Sequence, residues 1–151
     1  DVFSEIQKVR EDSVLMLVGD GDLRPEIEQK VLDLGLSDKI IFTGVRSDVN
    51  DLMQGMDVFL FPSLYEGLPV TMVEAQASGL KCIISDKVPL ECKMTKNVVV
   101  VKLEESPQKW AKEILKYEKY ERQNTKEEIV KANFDIKANA KYLQEFYLNK
   151  C

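Results

Sequence analysis

The sequence predicts an α/β fold: a doubly wound, Rossmann-like parallel sheet with helices on both faces. Three observations carry that prediction. Five short runs rich in Val, Ile and Phe recur without polar alternation, as in strands buried on both faces. Segments with helical spacing separate them, and strands alternating with helices imply right-handed crossovers in one parallel sheet. The 151 residues are 44% hydrophobic and 31% charged, with five prolines and seven glycines, which suits one globular domain and excludes disorder or a fibrous repeat.

The predicted strands are Val14–Val18, Ile40–Thr43, Val58–Phe61, Cys82–Ser85 and Val98–Val101. The first follows an amphipathic opening stretch. Arg24–Leu34 places Ile27, Val31 and Leu34 on one helical stripe, with Gly35 as its stop. Val49, Leu52 and Met53 make a shorter stripe, and Pro69–Ser78 ends in Gly79. Beyond Val101 the chain turns helical, with C-terminal helices expected over about 107–149. Ser106-Pro107 starts one that carries Trp110, Ile114 and Leu115. The charged run Lys116–Glu128, with Tyr117 and Tyr120, reads as a solvated helical face. Trp110 and the two tyrosines are expected to pack the late helices. Ile136–Leu148 closes the chain with Ala140, Leu143 and Phe146 at helical spacing. No internal repeat or linker interrupts residues 1–151, so one domain is the expectation.

Charge and composition exclude several functions. The net charge is −5, from 21 basic and 26 acidic residues, the reverse of a nucleic-acid binder's usual balance. No histidine occurs, which removes Ser-His-Asp triads, Cys-His pairs and the common zinc sites. Cys82, Cys92 and Cys151 form no CxxC pair and fit a reducing compartment, Cys82 as a core residue and the other two as exposed thiols. No apolar run approaches the ~20 residues of a membrane span, and no signal peptide opens the chain. The first residue is Asp1, so the chain is expected to be a piece of a longer protein.

In an open parallel sheet, ligands bind beyond the carboxyl ends of the strands. Gly19-Asp20-Gly21, Gly44-Val45-Arg46, the loop from Pro62 to Gly67 and Ser85-Asp86 occupy those ends. The third loop carries most of the chemistry. Gly67 admits a tight turn and a close ligand approach, Pro69 suits a first helical turn, and the free N–H groups there form an anion site. Glu66 ahead of the helix and Glu74 just over one turn into it could accept hydroxyls on either side of a diphosphate. A nucleoside diphosphate sugar has that layout. On residues alone a second reading stands beside it: Glu66 solvates a loop, and Glu74 favours a helix N-terminus.

Glu66 through Glu74, two glutamates separated by seven residues, resembles the signature of the retaining glycosyltransferase family four. Val18-Gly19-Asp20-Gly21, Phe42-Thr43-Gly44-Val45-Arg46, Asp57 through Ser63 and Glu74 through Gly79 match in order around it. The likeness is strong from Val14 to about Asp86 and is nearest the branch that builds bacterial exopolysaccharide or capsule. It implies the GT-B architecture, two facing Rossmann-like domains, with this chain resembling the C-terminal, donor-binding one. Glu66 would contact the transferred sugar as the catalytic residue. The backbone of Gly67, Leu68, Val70 and Thr71 would hold the diphosphate and sugar, Glu74 the ribose, and Val45 and Arg46 the base or phosphates. The family typically uses no metal and no cofactor; the donor would be a nucleotide sugar, by default a UDP-sugar. The implied enzyme moves a hexose with retention to a glycan or lipid-linked acceptor, in the cytoplasm, with the inner membrane face as the place expected for the full protein.

Three departures accompany the resemblance. The family's first strand of this domain, with its basic pair, would lie upstream of Asp1. The acceptor domain would also lie outside the chain, so the fragment alone is expected to be inactive. Ser85-Asp86 stands where many relatives carry two glycines, and Lys81 replaces a common proline. Self-association of the fragment through apolar surface near Phe146 and Tyr147 is expected. Two rivals remain: a nicotinamide dehydrogenase, weakened because Arg24 occupies the third glycine position of GxGxxG, and a non-catalytic, receiver-like module using Asp20, Asp22 and Asp86.

Overall fold

The computed structural model describes residues 1–149, so Cys151 lies outside the described residues. The chain folds as two compact units. The first is Asp1–Leu52 with Glu105–Lys116; the second is Met53–Glu104 with the residues from Tyr117 onward.

The first unit runs α1 (Val2–Gln7), β1 (Leu15–Val18), α2 (Arg24–Asp33), β2 (Ile40–Gly44) and the start of α3 (Val49–Gln54), and regains the chain at α5 (Pro107–Leu115). Strands β1 and β2 pair in parallel, Leu15 opposite Ile40. The opening amphipathic stretch is α1, which packs on α5. Phe3 and Ile6 from one helix, and Trp110, Ala111 and Ile114 from the other, are buried. Ser106 caps α5, its Oγ accepting from the Lys109 N–H at 3.3 Å, with Pro107 following at the first helical position.

Two sequence expectations shift here. Of the stripe Ile27, Val31 and Leu34, only Val31 is buried; Ile27 and Leu34 stay about two-fifths exposed, at 41% and 42%. Nor are β1 and β2 buried on both faces, since Ile41 is 48% exposed. Side chains on a sheet face are covered by the elements packed over that face, and at Ile41 this cover is incomplete.

The second unit holds β3 (Val58–Phe61), α4 (Val70–Ala77), β4 (Lys81–Ser85), β5 (Val98–Val101), α6 (Lys126–Lys131) and α7 (Ile136–Leu148). Its sheet is parallel in the order β3-β4-β5. All five residues of the middle strand β4 are buried, as an apolar run flanked on both sides should be. Met72, Ala75, Leu80, Ile83, Ile84 and Val98 build the core around it. The alternation of strands and helices thus yields parallel sheets, as predicted, divided into a pair and a triple.

The charged run Lys116–Glu128 is not the continuous helical face expected. After a turn at Tyr117 the chain extends, and α6 begins only at Lys126. Long-range bonds override the local helical preference. Arg122 donates to the carbonyls of Met53, Met56 and Ser78, Tyr120 Oη to that of Gly79, and Thr125 Oγ1 to that of Gln76. The Lys81 ammonium sits 4.2 Å from the Tyr117 ring centre and 5.8 Å from that of Tyr120, so both tyrosines lie against β4, where packing among the late helices was expected.

Cys92 is the other correction. A 3-10 turn over Leu90–Cys92 folds it inward to 1% exposure, where an exposed thiol was expected. Cys82 is buried in β4, as predicted. Helix α7 is capped by Asp135, whose Oδ1 accepts from the Ala138 N–H at 2.8 Å. It buries none of its side chains; Tyr142, Leu143, Phe146, Tyr147 and Leu148 are all exposed.

Candidate functional site

The site is built on the loop that leaves β3 and enters α4. Parallel pairing brings the carboxyl ends of β3 and β4 to one edge of the second unit's sheet. A side-chain bond fixes that juxtaposition, the Ser85 hydroxyl donating to the Ser63 carbonyl. From there the loop carries Leu64 and Tyr65 outward, at 79% and 85% exposure, and Glu66 follows half-buried. Ser63 Oγ donates to Glu66 Oε1 at 2.7 Å.

Gly67 adopts no left-handed conformation, so the tight turn expected there does not require its freedom. Its use is space: a Cβ built on it meets nothing within 4 Å. A ligand can approach the backbone there closely. Pro69 stands one residue earlier than expected, at the N-cap of α4 rather than inside the helix. It offers no side-chain cap, and the Met72 and Val73 amides return to its carbonyl at 3.0 and 3.4 Å. The leading amides of Val70 and Thr71 therefore take no acceptor among the described residues. Two donors at the positive end of a helix dipole suit an anion.

Glu74, also half-buried, lies in the second turn of α4, and its carboxylate makes no hydrogen bond or ion pair with any described residue. Its carboxylate is available to a ligand. Leu68 and Val70 are exposed at 56% and 61%, so Glu66, Gly67, Leu68, Val70, Thr71 and Glu74 all lie on one accessible loop and helix start.

Val45 and Arg46 belong to the first unit, beyond the end of β2. Val45 is 83% exposed. Arg46 forms a two-pronged pair with Asp48, Nε to Oδ1 at 2.7 Å and Nη2 to Oδ2, which holds the Asp48 carboxyl below its usual range and raises the guanidinium above its own. A ligand phosphate would have to draw Arg46 away from, or share it with, this partner.

Of the rivals' residues, Asp20, Arg24 and Asp86 are otherwise engaged. Asp20 accepts from its neighbour's amide, Gly21 N–H, at 2.9 Å, and from Arg24 Nη1 at 3.2 Å. Arg24 also binds Glu28 and lies over the Phe42 ring. Its position in place of a third glycine thus has a structural occupation. Asp86 accepts from the Leu103 N–H at 2.9 Å and so ties the end of β4 to the chain after β5.

Sequence reasoning missed Gln76, the most connected side chain behind the site. It lies fully buried in α4, two residues past Glu74. Its Nε2 donates to the carbonyls of Met72 and Cys92, at 3.1 and 2.7 Å. Its Oε1 accepts from the Met94 and Thr95 amides, both at 3.0 Å, and from Thr95 Oγ1 at 3.2 Å. The signal was a glutamine among the apolar positions of a predicted helix, which a buried site tolerates only if satisfied. Ser63 and Ser85 were missed as partners too, though Ser63 precedes Glu66 by a three-residue spacing that lets a loop side chain fold onto another.

Comparison with known proteins finds resemblance along most of the chain. The model of the family Glycosyl transferases group 1 matches residues 1–119. The glycosyltransferase-family protein EpsF of Bacillus subtilis is 38% identical over 137 residues, which is 88% of this chain and 36% of EpsF. The UDP-Gal:alpha-D-GlcNAc-diphosphoundecaprenol alpha-1,3-galactosyltransferase of Escherichia coli is 40% identical over 76 residues, 50% of this chain and 20% of that protein. The chain therefore spans about a third or less of the length of these relatives. Among solved structures, WaaG, a glycosyltransferase involved in lipopolysaccharide biosynthesis, superimposes with a TM-score of 0.66 at 21% identity over 77% of this chain and 32% of WaaG, which shows the GT-B type of fold. The chain belongs to the family Glycosyl transferases group 1.

Proposed function

We propose that this chain is the donor-binding part of a retaining, family-four type hexosyltransferase. The protein would move a sugar from a nucleoside diphosphate, by default UDP, to a glycan or lipid-linked acceptor in polysaccharide biosynthesis. One observation carries the proposal: the uncapped Val70 and Thr71 amides stand between Glu66 and the unpartnered Glu74, beside open space at Gly67. The diphosphate takes the helix start, Glu74 accepts from the ribose hydroxyls, and Glu66 accepts from the sugar. For the base, the proposal carries Val45 and Arg46 on the family resemblance alone.

In the proposed reaction the bond between the sugar's anomeric carbon and the diphosphate oxygen breaks. The acceptor hydroxyl attacks from the same face and forms the new glycosidic bond. Its proton passes to the departing phosphate oxygen, so charge and configuration are both kept. The negative charge that grows on the leaving diphosphate meets amides already oriented towards it, which is where preorganised donors lower a barrier. No metal or cofactor enters this scheme. The acceptor would bind a part of the protein outside this chain, at the cytoplasmic side of a membrane where the acceptor is lipid-linked. The exposed apolar side chains of α7 support self-association of the chain; sedimentation that stays monomeric as concentration rises would count against it.

The test is thermal stabilisation by UDP, GDP and ADP with EDTA present, on the native chain and Glu74→Ala. A nucleotide at 100 times its Kd adds about 2.7 kcal/mol if it binds only the folded state. Stabilisation by one nucleoside diphosphate, lost in Glu74→Ala, supports the proposal. Equal stabilisation of both proteins removes Glu74 from it, and no stabilisation by any nucleotide rejects the donor site on this chain.

A further inference from the structure

A carboxylate that must meet one particular sugar hydroxyl needs more than the right place in the chain. Free in a loop, a Glu side chain samples several rotamers, and ordering it on binding takes free energy from recognition. Glu66 is not free. Ser63 Oγ donates to its Oε1 at 2.7 Å, and the alternative acceptor of that hydroxyl, the Tyr65 carbonyl, is farther away at 3.2 Å. A hydroxyl has one proton, and the closer, charged acceptor takes it. One carboxylate oxygen is thereby fixed, leaving Oε2 and the remaining acceptor capacity of Oε1 for a ligand.

Ser63 is itself held. Ser85, fully buried at the end of β4, donates its hydroxyl to the Ser63 carbonyl, while its oxygen accepts from the Lys87 N–H at 3.3 Å. The donor and acceptor roles of Ser85 are therefore both in use, and its hydroxyl has one orientation available. The sequence Lys87 to Ser85 to Ser63 to Glu66 runs from the loop after β4, across the ends of two adjacent strands, to the carboxylate. Glycine at position 85 could not make this link, having no hydroxyl.

We propose that Ser63 and Ser85 are positioning residues that set the Glu66 carboxylate for the transferred sugar of the donor, Ser63 directly and Ser85 through Ser63. The inference rests on the donor-site reading above. It assigns the two serines to recognition of the sugar, not of the nucleotide, because their contacts lead to Glu66 and to neither the Val70 and Thr71 amides nor Glu74.

The experiment compares, on this chain, the Kd of UDP and GDP with those of UDP-glucose, UDP-galactose, UDP-N-acetylglucosamine and GDP-mannose. The readout is the ratio of nucleotide to nucleotide-sugar affinity, which a general loss of structure does not move selectively. Native chain should favour one sugar conjugate over its nucleotide. Glu66→Gln and Ser63→Ala should each reduce that preference by about tenfold, the size of one charge-assisted hydrogen bond, with nucleotide affinity unchanged. Ser63→Thr, which keeps the hydroxyl, should retain it, and Ser85→Ala should lose part of it. If Glu66→Gln abolishes the preference and Ser63→Ala leaves it intact, the serine role is overturned while the donor site stands. If the native chain binds no nucleotide or conjugate, the donor-site reading fails and the serine role with it.

Discussion

Gly79 and Gln123 approach so closely that a Cβ on Gly79 would stand 2.3 Å from the Gln123 carbonyl oxygen. Gly79 ends α4 with φ of 75°, the left-handed conformation that glycine alone adopts readily. The extended strap from Tyr120 to Thr125 can pass over the end of this helix because position 79 has no side chain. Gly79→Ala is expected to destabilise the chain by roughly 2–4 kcal/mol, combining backbone strain with a clash against main-chain atoms. Urea denaturation measures it, and a loss below about 1 kcal/mol would mean the strap yields easily.

Gln76 should be equally intolerant, for a different reason. Gln76→Leu keeps much of the volume and removes every bond of the amide, leaving the Met94 and Thr95 amides without their acceptor and the Cys92 carbonyl without its donor. Buried unpaired groups of this kind make a loss of roughly 3–5 kcal/mol the expectation. Hydrogen exchange at Met94 and Thr95 gives a local check: both amides should lose protection first. Unchanged exchange there would show that the Gln76 bonds are not what orders the segment from Cys92 to Thr95.

The thiols predict a dependence on pH. Burial pushes Cys82 from 9.0 to about 12, and it raises Cys92 too, where the charges of Glu91 and Glu66 add to the effect. The fold therefore favours the neutral thiols, whereas the unfolded chain ionises its cysteines near 9.0. Their contribution is complete below that value and falls as pH rises from there towards about 12. Urea midpoints should drop as pH is raised above the unfolded value. Alkylation mapped by mass spectrometry near pH 8 should leave Cys82 and Cys92 unmodified in the native chain. Rapid native labelling of Cys82 would contradict its burial.

Much of this was legible in the sequence, and the reasons differ by element. Val58–Phe61 and Val98–Val101 were readable to the residue because each is an unbroken apolar run, bounded by Asp57 and Pro62 in one case and by Asn97 and Lys102 in the other. Ile136–Leu148 was readable from the helical spacing of Ala140, Leu143 and Phe146. Local signals sufficed there. They failed at Lys116–Glu128, where Arg122 reaches carbonyls 44 to 69 positions back in the chain and no periodicity reports such a bond. They failed at Cys92 because one 3-10 turn reverses which side faces the core. For the site, Glu66, Gly67, Leu68, Val70, Thr71 and Glu74 were all named in advance and lie together, since one loop and one helix start carry them. The groups that hold them, Ser63, Ser85 and Gln76, were silent because their roles depend on neighbours across strands.

The central claim is that the start of α4 is a diphosphate site. Amide chemical-shift mapping of the chain during titration with UDP, in EDTA, tests it most directly. The account predicts saturable shifts concentrated at Gly67, Leu68, Val70 and Thr71, with smaller ones at Glu66 and Glu74. Saturable shifts confined to residues elsewhere in the chain, with those amides unmoved, would contradict it.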